Sequence, residues 1–204
     1  FKAFFLAGGP GSGKSFVVRK TTGGTGLRPV NSDDAFEAML DKAGLSQKMP
    51  DSEEEPREVI RQKSKAITKK REANYIEGRI GLVIDGTGKE YDKIAAQSTK
   101  LKQLGYDTHM IFVNTSLDVA LQRNAERART VPERIATQSW KAVQSNMGKF
   151  SQHFRRNMII VDNNEVSKLH KGIIMTDIYK QIQSLLGRPV NNPAAKEWVR
   201  MEMK

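Results

Sequence analysis

Cysteine is absent from the 204 residues, so neither a disulfide framework nor a thiolate metal site is open to this chain, which fits a reducing compartment and argues against redox chemistry. Long apolar runs are absent as well. Nothing approaches the roughly 18 to 20 residues needed to span a bilayer, and no charged-then-apolar leader with a small-residue cleavage site opens the sequence. The expectation is a soluble, cytoplasmic protein with no membrane partner. The first residue is Phe1, inside an apolar run and without an initiator methionine, as in a piece of a longer protein. Acidic residues are scarce beside basic ones, 23 against 34, and the formal charge of +11 favours polyanionic partners, nucleotide phosphates among them. There is no internal repeat, and no cluster of His, Asp and Glu suggests zinc. What is present, 38% hydrophobic residues over 204 positions, suffices for one sizeable core.

Apolar runs and turn residues alternate along the chain. Ala3 to Ala7 runs straight into a glycine-rich turn, as a buried parallel strand does. Arg28-Pro29-Val30-Asn31 is a second strand delivering Asp33 and Asp34 at its carboxyl end, and Phe36, Met39 and Leu40 line a helix after it. Residues 44–56, with Gly44, Pro50, Pro56 and the acidic run Asp51 to Glu55, read as a mobile surface connection or a lid. Pro56 falls in the first turn of a long helix through about Glu77, with acidic residues ahead of it complementing the helix dipole and Gly78 helping to end it. Further strands are expected at 81–85, 108–113 and 158–162, and further helices at 91–104, from Thr115-Ser116-Leu117-Asp118, from Pro132 with Ile135, Trp140 and Val143 inward, and at 173–186. This pattern implies an α/β layered fold with a mostly parallel sheet. Residues 1–187 form the expected domain and 188–204 a basic C-terminal extension, helical after Pro193.

Gly8-Gly9-Pro10-Gly11-Ser12-Gly13-Lys14-Ser15 has the Walker A spacing and lies between a strand and a helix, where that motif must lie. The glycines let successive N–H groups and the helix N-terminus face phosphates, Lys14 can reach the β- and γ-oxygens, and Ser15 can ligate magnesium. The bland alternative is a glycine-rich turn that matches by chance. ATP and Mg²⁺ are therefore the expected cofactors. Water as phosphoryl acceptor is disfavoured, because Asp85 is followed by Gly86 where hydrolytic ATPases commonly place a glutamate.

Transfer to a hydroxyl needs a carboxylate near the γ-phosphate, and Asp33 is the expected base, with Asp34 capping the next helix. Asp85 either orients a magnesium-bound water or binds the acceptor, the alternative being a solvated turn carboxylate. Downstream, Leu117, Ala120, Leu121, Asn124, Ala125 and Ala128 recur at helical spacing, with Arg123 and Arg127 sharing another side. Such arginines can reach over a triphosphate; otherwise they are a solvated face with Glu126 as partner. Arg57, Arg61, Lys65 and Lys69 recur every four residues, either as a basic stripe or as a solvated face with Val59, Ile60 and Ile67 turned inward. His109, Trp140 and Phe150 read as structural.

In order and spacing these motifs resemble the kinase group that contains the phage polynucleotide 5′-hydroxyl kinases and the zeta-toxin kinases. Gly8 to Ser15, Asn31-x-Asp33-Asp34, Asp85 at a strand end and Arg123-Asn-x-x-Arg127 before Val131-Pro132 are similar to the former; Ile84-Asp85-Gly86-Thr87 is similar to the latter. The resemblance implies a five-stranded P-loop NTPase sandwich of nucleoside-kinase type in the order 2-3-1-4-5. It also implies phosphate binding by Lys14, magnesium binding by Ser15, a base at Asp33 and lid arginines at Arg123 and Arg127. The polynucleotide kinases carry an arginine just after the Asp-Asp pair, where this chain has Ala35 and Phe36. The expected reaction is transfer of the γ-phosphoryl group to a nucleotide-sugar or other small metabolite, with a polynucleotide 5′-hydroxyl as alternative acceptor. A nucleic-acid-binding module that only holds ATP is the alternative from another class. The zeta-toxin likeness also admits an antitoxin partner.

Overall fold

The computed structural model describes residues 1–48, 50–127, 130–164 and 167–204, with Lys168 described by its backbone alone. Five strands form one sheet: β1 (Lys2–Ala7), β2 (Arg28–Val30), β3 (Leu82–Ile84), β4 (Asp107–Asn114) and β5 (Met158–Asp162). Their order is β2-β3-β1-β4-β5, with every neighbouring pair parallel. Parallel neighbours need a crossover each time, and the helices supply it. These are α1 (Lys14–Thr22), α2 (Asp33–Lys42), α3 (Glu54–Glu77), α4 (Tyr91–Gln103), α5 (Leu117–Ala125), α6 (Glu133–Phe154), α7 (Lys168–Leu186) and α8 (Pro193–Glu202).

Ala3 to Ala7 of β1 and Met110 to Val113 of β4 are unbroken apolar runs because both of their faces are covered. Ala3, Phe5 and Ala7 of β1 join Met110 and Phe112 of β4, Leu101 of α4 and Val143, Phe150 and Phe154 of α6 on one face. The alternate residues Phe4, Leu6, Ile111 and Val113 meet Val17 of α1 and Met175, Ile178 and Ile182 of α7 on the other. Phe4 and Phe5 are almost wholly buried, and each such side chain contributes about 2 to 3 kcal/mol. A third cluster, Phe36 and Leu40 of α2 with Ile60 of α3, extends the core beyond the edge strand β2.

Helix faces differ from expectation on α6 and α3. Ile135 is 42% exposed, since the buried row of α6 runs Ala136, Ser139, Val143, Asn146, Phe150 and Phe154, one step out of phase with it. On α3 only Ile60 of the three apolar residues turns in, Val59 and Ile67 being exposed, and Ser64 continues the buried row. Lys65 and Lys69 are solvated, but the Arg61 guanidinium lies 4.4 Å over the Phe36 ring, so the basic row is not uniform. The acidic run from Asp51 is ordered into a 3₁₀ turn at Asp51–Glu53 and the first turn of α3, which begins two residues before Pro56.

At the amino ends of the strands α8 is seated by its own cap. Asn192 Oδ1 accepts from Ala194 N–H at 3.0 Å while its Nδ2 donates to the Lys102 carbonyl at 3.1 Å. Trp198 of α8 meets the Phe1 ring edge-on at 5.2 Å. Among the described residues no helix is long and apolar enough to cross a membrane.

Candidate active site

In an open parallel sheet the carboxyl strand ends are where loops converge, and every residue singled out by the motifs lies there. The turn after β1 is forced to be glycine by its neighbours. Gly11 has φ 78° and Gly13 φ 85°; a Cβ on Gly11 would overlap the Ala120 carbonyl of α5, and one on Gly13 the Asn163 amide. Gly9, Gly11, Gly13, Lys14, Ser15, Arg123 and Arg127 enclose a cavity of about 240 Å³ in front of the α1 N-terminus. Lys14 Nζ donates to the Gly8 carbonyl at 2.6 Å. Burial pulls its pKa below the usual lysine range; Asp85 and Asp33 oppose that and Arg127 adds to it, so all three groups share one electrostatic neighbourhood.

The two arginines reach this cavity by different means. Arg123 belongs to α5, and its Nη1 donates to the Asn163 carbonyl at 2.7 Å. Arg127 lies beyond the helix, which stops at Ala125, so the expected shared helix side does not exist. Its N–H bonds the Asn124 carbonyl at 3.4 Å. Asn124, expected on an apolar face, is buried but polar in its work: Nδ2 donates to the Val131 carbonyl at 2.6 Å and Oδ1 accepts from Val131 N–H at 3.2 Å. Ala125 of that expected face is exposed, and Ala128 and Arg129 lie outside the described residues. One further residue, Asn163, escaped the sequence reading, and Trp140, read as structural, is so. Asn163, 5% exposed after β5, donates Nδ2 to the Ser12 carbonyl at 2.7 Å and so braces the glycine turn. Trp140 packs against Gly9 and donates Nε1 to the Thr115 carbonyl at 2.9 Å.

Facing the glycine turn are the ends of β2 and β3. Asp33 is the first residue of α2 and half-buried. Asp34, expected as the cap, is instead the second residue of the helix and exposed, and the Asp33 N–H is taken by Asn31 Oδ1 at 2.8 Å. Asp85 directly follows β3, where its N–H bonds the Val30 carbonyl at 3.0 Å. Burial raises its carboxyl pKa, Lys14 lowers it, and Asp33 and Asp34 raise it again. Asp85 Oδ2 accepts from Asn31 Nδ2 at 3.0 Å, while Oδ1 is buried with no partner among the described residues. Behind it Phe5, Leu6, Ile84, Thr87 and Ile94 line a second cavity of about 240 Å³.

Oxygen donors suit magnesium, which takes one or two protein ligands and completes its shell with phosphates and water. Ser15 in the first cavity and the unpartnered Asp85 Oδ1 fit that demand. Among the described residues no group of three His, Cys, Asp or Glu could hold a metal without phosphates.

Residues 2–173 match the zeta-toxin family model. The chain belongs to the zeta-toxin family. As a member it is a P-loop kinase, and ATP-dependent phosphotransfer is its general chemistry. Comparison with curated proteins gives no match. Solved structures of similar fold include the PezAT chromosomal toxin-antitoxin system of the human pathogen Streptococcus pneumoniae (TM-score 0.59, 13% identity, 91% of this chain and 87% of that one). The AvrRxo1-ORF1:-ORF2 complex with ATP is similar as well (0.61, 16%, 78% and 53%), as is the Pnkp1/Rnl/Hen1 RNA repair complex (0.57, 18%, 73% and 46%). At such identities the likeness concerns the fold, and this zeta-toxin-family chain spans about half of the latter two.

Proposed function

We propose that this kinase transfers the γ-phosphoryl group of magnesium-bound ATP to a hydroxyl of a nucleotide-sugar or other small metabolite. The observation that carries the reading is the facing arrangement: a glycine cradle with Lys14, Arg123 and Arg127 on one side, Asp33 and Asp85 on the other. The N–H groups of Gly11, Gly13, Lys14 and Ser15 and the α1 dipole hold the phosphates, and Lys14 exchanges its bond to the Gly8 carbonyl for β- and γ-oxygens. Ser15 and Asp85 would hold magnesium, which neutralises phosphate charge when bound. Asp33 accepts the acceptor's hydroxyl proton as the new O–P bond forms and the bond to the β–γ bridging oxygen breaks, while Arg123 and Arg127 neutralise the charge on the transferring oxygens.

A small acceptor is favoured by the cavity of about 240 Å³ behind Asp85, which Phe5 and Leu6 help to line. A polynucleotide 5′ end is the second reading, and one observation favours it: Arg61 of α3 lies over the ring of Phe36, three residues after Asp33 on α2, although no cation directly follows Asp34 in sequence. Labelled ATP with a panel of nucleotide-sugars, small hydroxylated metabolites and 5′-hydroxyl oligonucleotides decides between them. Label on a sugar or metabolite supports the first reading, label on the oligonucleotide replaces it with the second, and ATP binding without transfer to any acceptor sinks both.

A further inference from the structure

The Asn31 side chain is engaged at both ends. Oδ1 accepts from the Asp33 N–H at 2.8 Å, and Nδ2 donates to Asp85 Oδ2 at 3.0 Å, across 54 residues of sequence. Only one orientation of the amide satisfies both neighbours, since an N–H needs an acceptor and a carboxylate needs a donor. The Asn31 carbonyl also accepts from Thr68 Oγ1 of α3 at 3.4 Å. Four elements, β2, β3, α2 and α3, therefore meet at this residue. Because Asp85 Oδ2 is held, the carboxylate cannot turn without losing that bond, and the direction of its unpartnered Oδ1 is set.

We infer that Asn31 is a positioning residue: one amide fixes the start of α2, and with it Asp33, relative to the Asp85 carboxylate. This rests on the phosphotransfer reading above, in which Asp33 and Asp85 stand at the reacting end. The residue type follows from the geometry. Aspartate could accept from the helix N–H but would set a second carboxylate against Asp85. Serine can also accept from an N–H two residues on, yet is too short to reach across to β3. Removing such an outer partner of a functional carboxylate typically lowers activity about 10- to 100-fold.

The test uses Asn31→Ser, Asn31→Asp, Asp85→Ala and the double variant Asn31→Ser/Asp85→Ala, with melting temperature, ATP affinity and single-turnover transfer measured for each. Asn31→Ser keeps the α2 cap, so it is expected to melt with the parent and bind ATP like the parent while transferring about 10- to 100-fold more slowly. The double variant is expected to transfer no more slowly than Asp85→Ala, because the two residues act through one contact. Asn31→Asp, isosteric with the parent, is also expected to be slow and supplies the comparison if the serine variant fails to fold. Parental transfer in Asn31→Ser or Asn31→Asp overturns the inference. So do a silent Asp85→Ala and a double loss equal to the product of the single losses. Absence of transfer by the parent itself sinks the phosphotransfer reading instead, so the two failures are distinct.

Discussion

The two sides of the cleft are built in opposite ways. The nucleotide side is eight consecutive residues whose backbone does most of the work, held by a packing demand so tight that Gly11 and Gly13 have no room for a Cβ. The proposed acceptor side is built from side chains of separate segments, Asn31 and Asp33 after β2 and Asp85 after β3, brought together only by strand order. A backbone cradle is specific for phosphate whatever carries it, whereas a side-chain wall can change acceptor by single substitutions.

Variants on the two sides should therefore fail differently. The largest effect is expected from Lys14→Ala, which removes a charge from both bound ATP and the transition state. Transfer should fall about 10³- to 10⁵-fold, the scale of a lost arginine finger, with weaker ATP binding. Parental turnover at saturating ATP would remove the cradle from the mechanism. Asp33→Asn touches only the acceptor side: ATP affinity should hold while single-turnover transfer drops about 10²- to 10⁴-fold. If ATP affinity falls in step, the two sides are not separate. Arg127→Ala should lower kcat up to about 10³-fold with little change in KM for ATP. A pure KM effect would make Arg127 a ground-state contact.

The smallest effect lies away from the cleft and serves as its control. His109 is 3% exposed, stacked on Phe4 at 4.9 Å, with neither ring nitrogen hydrogen-bonded among the described residues. Burial pushes its pKa down to about 4, with Lys2 and Arg188 adding to the effect and Asp107 opposing it. The unfolded chain takes up this proton near pH 6.5, whereas the folded chain does so only near 4. Stability contributed by the neutral ring is thus whole above pH 6.5 and lost as pH falls toward 4, by up to about 3 kcal/mol. His109→Leu should flatten denaturant-measured stability over that window and leave transfer at pH 7.5 unchanged. A pH profile as steep as the parent's would assign the slope to other groups.

The sequence made the nucleotide side readable because its determinants are contiguous and the strand and helix around them announce themselves. Strand positions followed for the same reason: β5 was expected at 158–162 and spans Met158–Asp162. Phase within helices was less legible. Ile135 and Val59 are apolar yet exposed, because what lies opposite a helix is decided by the sheet and not by the helix's own period. The polar braces were the hardest to see. Asn163 and Asn146 look like loop or surface residues in sequence, and only contacts made across 58 or more residues show that their amides satisfy buried carbonyls; Asn124 does the same for Val131, seven residues on. Arg61 illustrates the same limit, since nothing in the sequence ties this residue of α3 to the Phe36 ring it covers.

The Gly8 N–H bonds the Thr87 carbonyl at 2.9 Å, and Asn146 of α6 holds the next turn through the Gly88 and Lys89 carbonyls at 3.1 and 2.9 Å. The first residue of the phosphate cradle is thereby tied to the wall of the second cavity. If ATP binding shifts the cradle, that wall moves with it, and nucleotide and acceptor occupancies are then thermodynamically linked. Linkage is symmetrical: by whatever factor ATP alters the affinity of an acceptor, the acceptor alters the affinity of ATP.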